Sequence, residues 1–86
     1  MNIELEYYRL KLDKAMGDGK LISQSQNLML IKRDTDGLMF FETLGGDSKS
    51  LFWAKEGEVD FVKKSKEDWS EEKINERNRY INGEFL

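Results

Sequence analysis

Residues 28–44 read LMLIKR, DTDG and LMFFETL in order, which is two apolar runs of similar length around a short polar segment. The Asp36-Gly37 pair supplies a residue that adopts positive φ at little steric cost, as a tight hairpin requires. The segment therefore predicts two antiparallel strands, 28–33 and 38–44. Because their apolar residues are consecutive rather than alternating, both faces of these strands should be covered by the rest of the chain.

The N-terminal segment, residues 3–16, is compatible with two structures. Residues 3–7 and 8–12 each alternate in polarity with a one-residue slip between them, as in a bulged strand. A helix would instead place four apolar residues on one face: Leu5, Tyr8, Leu12 and Met16. Most residues of the segment favour helices, Asn2 can cap the start and Gly17 can follow the end. We therefore expect a helix here, with the bulged strand as the alternative.

The middle of the chain predicts further turns and strands. A turn at 17–20 precedes a short strand that begins at 21–22. After a Gly-rich connection at 45–49, the runs 51–54 and 59–62 predict a second hairpin around an intervening turn. Consecutive hairpins are typical of an antiparallel meander.

A C-terminal helix is predicted from near residues 66–69 to about Asn82. Ser65 and Asp68 can each head a capping box, and Gly83 can end the helix. Few apolar residues lie within it: Trp69, Ile74, Tyr80 and Ile81. Such a helix should lie on the surface and be held by a few anchors.

These elements predict a single small α+β domain over residues 1–86. It comprises an N-terminal helix, a four-stranded antiparallel β-meander and a C-terminal helix. If residues 3–16 form a strand, the alternative is a five-stranded small barrel plus the C-terminal helix. Phe85 and Leu86 are expected to dock back onto the domain.

The composition excludes several kinds of chemistry. The 86 residues include no Cys and no His, so thiolate nucleophiles, Ser-His-Asp triads and the commonest transition-metal ligands are absent. The Asp34–Gly37 turn does not match the ligand spacing of a calcium loop. We therefore expect no enzyme activity, no cofactor and no metal. The lack of Cys and of a long apolar run predicts a cytoplasmic protein without a membrane segment.

The leading functional hypothesis is a small non-enzymatic protein that acts as a regulator or inhibitor by docking on a larger protein. An accessory protein of a phage or mobile element fits this description. The predicted contact face is the acidic cluster at the start of the C-terminal helix: Glu67, Asp68, Trp69, Glu71 and Glu72. Trp69 has a second interpretation, which we favour, as the residue that pins this helix to the sheet. A homodimer through edge strands is a further candidate assembly.

The alternative hypothesis is a nucleic-acid-binding small β-barrel module. Five aromatic residues on predicted strands could stack bases: Phe40, Phe41, Phe52, Trp53 and Phe61. Most of these side chains are needed for the core, and acids lie among the lysines at the strand ends. The net charge of −3 also provides no concentrated basic surface, so nucleic acid is the less favoured partner.

Overall fold

The computed structural model of the protein describes residues 1–45 and 49–83. Half of these residues form antiparallel strands, and one α-helix follows the strands. The elements are β1 (Asn2–Leu10), β2 (Lys14–Ala15), β3 (Leu21–Ile22), β4 (Leu28–Arg33), β5 (Leu38–Thr43), β6 (Leu51–Lys55), β7 (Val59–Asp68) and α1 (Glu71–Ile81). Part of the predicted connection 45–49 and the predicted docking of Phe85 and Leu86 lie outside the described residues.

Five of the strands form one antiparallel sheet in the order β6-β5-β4-β1-β7, while β2 and β3 form a separate two-stranded hairpin. β6 and β7 lie at opposite edges of the large sheet, yet only the short 3-10 helix Glu56–Glu58 separates them in the chain. Three residues span only about 10 Å. The sheet must therefore curl until its two edges approach each other at this end.

The central hairpin forms as the sequence predicts. β4 and β5 pair with Leu30 opposite Phe41, and a bulge at Ile31 shifts the register. Gly37 has a φ of +81°, which is the positive value that the turn requires. The residues from Leu28 to Ile31 and from Met39 to Thr43 are buried, so the prediction that both faces are covered is confirmed.

Two separate apolar clusters cover the two faces of this hairpin. The inner cluster lies inside the curled sheet and surrounds Phe41, which is fully buried. Its other members are Tyr8, Leu10, Ile22, Leu28, Leu30, Met39, Phe52, Ala54 and Val59. The outer cluster contains Leu5, Tyr7, Met29 and Trp69, with Ile74 of α1 packed against it. The curled sheet thus covers one face, and α1 covers part of the other.

The predicted N-terminal helix is wrong, because residues 2–10 form the strand β1. Leu5 and Tyr7 belong to the outer cluster, whereas Tyr8 and Leu10 belong to the inner one. Strand alternation sends these pairs to opposite faces, so β1 is buried on both sides near its end. This burial outweighs the helix propensity of the individual residues. The capping roles predicted for Asn2 and Gly17 do not arise.

The predicted second hairpin is also wrong, although both of its strands exist. β6 pairs with β5, and β7 crosses to the other edge to pair with β1 from Leu10 opposite Val59 to Asn2 opposite Asp68. This long ladder satisfies more backbone groups than the five-residue β6 could. The four-stranded meander is therefore replaced by a five-stranded sheet. The barrel alternative has the right number of strands, but β6 and β7 remain separate edges.

The segment between β1 and β4 leaves the sheet and returns. The predicted turn at 17–20 is confirmed, with Gly19 at a φ of +89°. The predicted strand at Leu21 is confirmed as β3, and Ile22 inserts into the inner cluster. This excursion closes one side of the inner core.

The C-terminal helix begins later than predicted. β7 continues to Asp68, and Ser70 is the N-cap, whose Oγ accepts a hydrogen bond from the Lys73 amide at 3.2 Å. The capping boxes at Ser65 and Asp68 are not used, because those residues are held in the β1–β7 ladder. The prediction that the helix ends at Gly83 is confirmed, since Ile81 is its last residue and Gly83 has a φ of +78°.

Gly37→Ala should lower the free energy of unfolding by about 1–2 kcal/mol, because an L-residue is strained at positive φ. The matched control is Gly57→Ala, where an added Cβ meets no atom within 4 Å and φ is not in the positive range. That variant should be neutral or slightly stabilising. Urea unfolding followed by Trp fluorescence measures both, and equal effects would contradict the predicted cost at the turn.

Candidate functional site

The acidic segment predicted as the contact face spans the end of β7 and the first turn of α1. Glu67 and Asp68 end the strand, Trp69 follows, and Glu71 and Glu72 open the helix. The structure therefore brings all five residues into one region. Glu71 and Glu72 are exposed, and their charge is favourable at a helix N-terminus. As contact residues they remain a prediction.

Trp69 belongs to the core. It is 7% exposed and packs in the outer cluster with Leu5, Tyr7 and Met29. Its indole Nε1 donates a hydrogen bond to Glu67 at 3.2 Å, and the Lys73 ammonium lies 4.1 Å from the ring centroid. The ring fixes the start of α1 against the sheet, as in the pinning interpretation, and offers little exposed surface to a partner.

Glu67 and Asp68 have partners within the chain. The Tyr7 hydroxyl donates a hydrogen bond to Glu67, and this bond holds the pKa of Glu67 below its usual value. Burial, followed by the bond to Glu67, raises the pKa of Tyr7 to about 12. Asp68 accepts a hydrogen bond from the ammonium of Met1 at 2.7 Å. Both carboxylates therefore join β1 and β7 at the end of their ladder.

A polar network fastens the other end of α1 to the sheet. Glu42 is 8% exposed, and its carboxylate lies 3.0 Å from the Lys49 ammonium. Lys49 also contacts Glu76 at 3.1 Å, and the Tyr80 hydroxyl donates to Glu76 at 2.9 Å. Burial lowers the pKa of Lys49, but hydrogen bonds to Glu42, Glu76 and Tyr80 outweigh that effect and raise it. Sequence reasoning missed this network, since its members are far apart in the chain.

Arg77 completes the attachment of α1 at the bulge in β4. Its Nη2 donates hydrogen bonds to the carbonyls of Leu30 at 3.2 Å and Ile31 at 3.3 Å. A bulge leaves backbone groups without ladder partners, and the guanidinium supplies them. Burial lowers the pKa of Arg77, whereas the charge of Glu42 opposes that change. These contacts are structural, and they leave α1 little freedom to slide on the sheet.

β7 is the long open edge of the sheet. It pairs with β1 on one side, and no strand lies on its other side within the described residues. Of its ten residues only Val59 is buried. Phe61 is 56% exposed and Val62 is 41% exposed, so two adjacent apolar side chains lie on this edge. The sequence predicts Phe61 on the last strand of a meander, residues 59–62, which is an edge strand; the structure extends that strand to Asp68.

Charged residues along β7 alternate between the two faces of the sheet. On one face Lys64 forms an ion pair with Glu4 at 3.1 Å. On the other face the Lys63 ammonium lies 5.3 Å from the centroid of the Tyr7 ring. The register with β1 also shifts at Val62, which is the extra residue of a bulge. Lysines and bulges limit indiscriminate pairing of edge strands, so both features protect this edge from aggregation.

The strand aromatics do not form a common stacking surface. Phe40, Phe41 and Phe52 are each no more than 3% exposed. The two exposed members lie on different faces of the sheet, because Trp53 stands opposite Phe40 whereas Phe61 stands opposite Tyr8 of the inner cluster. The structure therefore provides little support for base stacking.

Comparison with known proteins gives no match to a family model, to a curated protein or to a solved structure. Over residues 1–45 and 49–83 there is no group of three or more acidic side chains placed to hold a metal ion. No helix in the same ranges has both the length and the apolar character needed to cross a membrane. The open edge of β7 is the candidate site on the basis of its geometry alone.

Trp69→Ala should lower the free energy of unfolding by about 3 kcal/mol, the cost of removing a large buried aromatic side chain. Leu12→Ala is the control, because Leu12 is 77% exposed; it should cost less than about 0.5 kcal/mol. Urea unfolding followed by far-UV circular dichroism measures both. Similar costs for the two variants would show that Trp69 is not a core residue.

Glu67 should contribute to the loss of stability in acid. Its folded pKa lies below the ordinary value of 4.5, so the unfolded chain binds this proton more readily. The stabilisation is present above that value and is lost as pH falls through the folded pKa. Glu67→Gln should therefore flatten the decline in unfolding free energy between about pH 5 and pH 3, measured by urea unfolding at each pH.

The matched variant is Tyr7→Phe, which keeps the Glu67 carboxylate and removes the hydroxyl that donates to it. It should flatten the decline in the same pH range as Glu67→Gln does. If both variants keep the wild-type decline, the bond from Tyr7 does not stabilise the ionised carboxylate.

Proposed function

We propose that this protein is a small non-enzymatic regulator or inhibitor that docks on a larger protein through the open edge of β7. An extended segment of the partner would pair with β7 and continue the antiparallel sheet. We expect it to be a cytoplasmic accessory protein of the kind that phages and mobile elements encode. Docking by strand addition requires no cofactor and no catalytic residue.

The observation that supports this proposal is the length of β7 and the exposure of its side chains. Main-chain N–H and C=O groups on an unpaired edge supply binding energy to an added strand, and neighbouring side chains supply specificity. Phe61 and Val62 offer an apolar contact at 56% and 41% exposure. Beyond them the edge carries Lys63 to Lys66, and Glu71 and Glu72 lie past its end. A partner segment would therefore meet apolar, basic and acidic surfaces in that order.

The bulge at Val62 divides β7 into two parts. A bulge interrupts the alternation of the outward backbone groups, so a partner strand pairs most readily with the regular run from Lys63 to Asp68. Three of the six side chains in that run are lysines. An acidic segment of a different protein therefore complements this run better than a second copy of the same strand.

The test is capture of binding proteins from the source cells by wild type and by Phe61→Lys/Val62→Lys. The double variant should reduce the affinity for the captured partner at least tenfold, which corresponds to about 1.4 kcal/mol. The reason is that it places two charges where an apolar contact is proposed. Mass spectrometry identifies the partner, and titration calorimetry with the purified partner measures the affinity.

The matched control is Leu12→Lys/Leu21→Lys, which alters two apolar residues that are 77% and 63% exposed and belong to the segment between β1 and β4. This control should bind like wild type, and cooperative thermal unfolding should show that every variant folds. Glu71→Lys/Glu72→Lys tests the acidic residues in the same assay and should weaken binding. Undiminished binding by Phe61→Lys/Val62→Lys would exclude the β7 edge as the contact.

A further inference from the structure

A cleft of about 350 Å³ opens on the outer face of the sheet beside the β7 bulge. Its walls come from three neighbouring parts of the fold: Tyr7, Arg9, Asn27, Leu44, Val62 and Lys63. Val62 and Lys63 belong to the open edge strand itself. A side chain that projects from a strand paired with β7 could therefore enter the cleft directly.

The walls combine apolar surface with two cations. Leu44, Val62 and the ring of Tyr7 supply the apolar part. Arg9 donates a hydrogen bond from Nε to the Asn27 side-chain oxygen at 3.0 Å, which orients the guanidinium. The Lys63 ammonium lies 5.3 Å from the Tyr7 ring centroid. This arrangement suits an anionic head group on a short apolar stem.

Two carboxylates of β7 on the same face have other partners. Asp60 stands opposite Arg9 in the β1–β7 register but forms its ion pair with Lys11 at 3.8 Å. Glu67 accepts its hydrogen bond from the Tyr7 hydroxyl. Within residues 1–45 and 49–83, neither Arg9 nor Lys63 forms an ion pair with a carboxylate. Both cations are therefore available to a ligand.

Resting on the proposed strand addition, we propose that the partner segment carries an aspartate or glutamate whose carboxylate enters this cleft between Arg9 and Lys63. Side chains of an added strand alternate between the faces of the extended sheet. Those on the outer face project beside Lys63 and can reach the cleft. The stem of the acid would contact Val62 at the edge of the cleft, while charge-assisted hydrogen bonds to Arg9 and Lys63 fix the register of the partner strand.

The experiment selects random peptides, each long enough to span β7, on the immobilised full chain. Wild type should enrich peptides that carry an acid at one fixed position within an extended apolar pattern. Arg9→Gln/Lys63→Gln should bind these peptides at least about tenfold more weakly, and the charge-retaining Arg9→Lys/Lys63→Arg should recover most of the affinity. Fluorescence anisotropy with labelled peptides measures each affinity.

The matched control is Lys64→Gln/Lys66→Gln, which also removes two positive charges, both of them from β7. Alternation places these side chains on the opposite face, and Lys64 already pairs with Glu4. The control should lose far less affinity for the selected peptides than Arg9→Gln/Lys63→Gln, because its two exposed lysines contribute only a screened, long-range charge effect. Thermal unfolding should show that every variant folds. Equal weakening by the two glutamine pairs would show a general charge effect and overturn the assignment of the cleft.

The remaining outcomes separate the two proposals. Peptides that need Phe61 and Val62 but carry no fixed acid would overturn the cleft assignment and leave docking at β7 intact. Failure to enrich any peptide would overturn strand addition, and the cleft assignment with it. The last arm of the experiment measures binding of a labelled oligothymidylate by the same anisotropy assay. If it binds wild type and loses binding with Arg9→Gln/Lys63→Gln, the cleft takes phosphates of nucleic acid and the acidic-segment proposal is wrong.

Discussion

The hairpin of β4 and β5 is apolar on both faces, and the need to cover both faces is the constraint on which the rest of the structure depends. Phe40 and Phe41 are neighbours in the chain, point to opposite faces, and are 2% and 0% exposed. Each large aromatic side chain contributes a few kcal/mol when it is removed from water. One covering layer cannot bury both, so the sheet curls over the inner face and the outer face requires other cover.

α1 provides part of that outer cover with few apolar residues of its own. Trp69 and Ile74 pack in the outer cluster, while Lys49 and Arg77 connect polar groups of the helix and sheet. Charged groups this close to the interior add little net stability, because their desolvation offsets much of the attraction between them. Their geometric requirements are nevertheless strict. We infer that apolar packing holds the helix down and that the polar contacts determine where on the sheet it lies.

The open edge is related to the way β1 pairs with its two neighbours, because the two ladders differ in length. Its pairing with β4 centres on Tyr7 and Tyr8, whereas its pairing with β7 covers all nine residues of the strand. The first half of the β1–β7 ribbon therefore extends past the ladder with β4. Tyr7 and Glu67 hold this ribbon together, and its outer strand keeps an unpaired backbone. In this protein the exposed edge is a consequence of how the core is closed.

Local sequence determined the parts of the protein that depend on neighbouring residues. The turn at Gly37 and the helix end at Gly83 follow from backbone chemistry within a few residues, and the apolar runs beside Gly37 predicted buried strands. Only the tertiary structure decided that residues 2–10 form a strand and that β7 pairs with β1 instead of β6. For Trp69 it decided between two interpretations that the sequence allowed, and it confirmed the favoured one, a residue that pins the helix to the sheet. The candidate site likewise has a local part and a tertiary part. The exposure of Glu71 and Glu72 follows from local sequence, whereas the cleft between Arg9 and Lys63 forms only where distant segments meet. The physical reason is that these outcomes depend on partners distant in the chain, and burial against those partners outweighs the local preference for helix or hairpin.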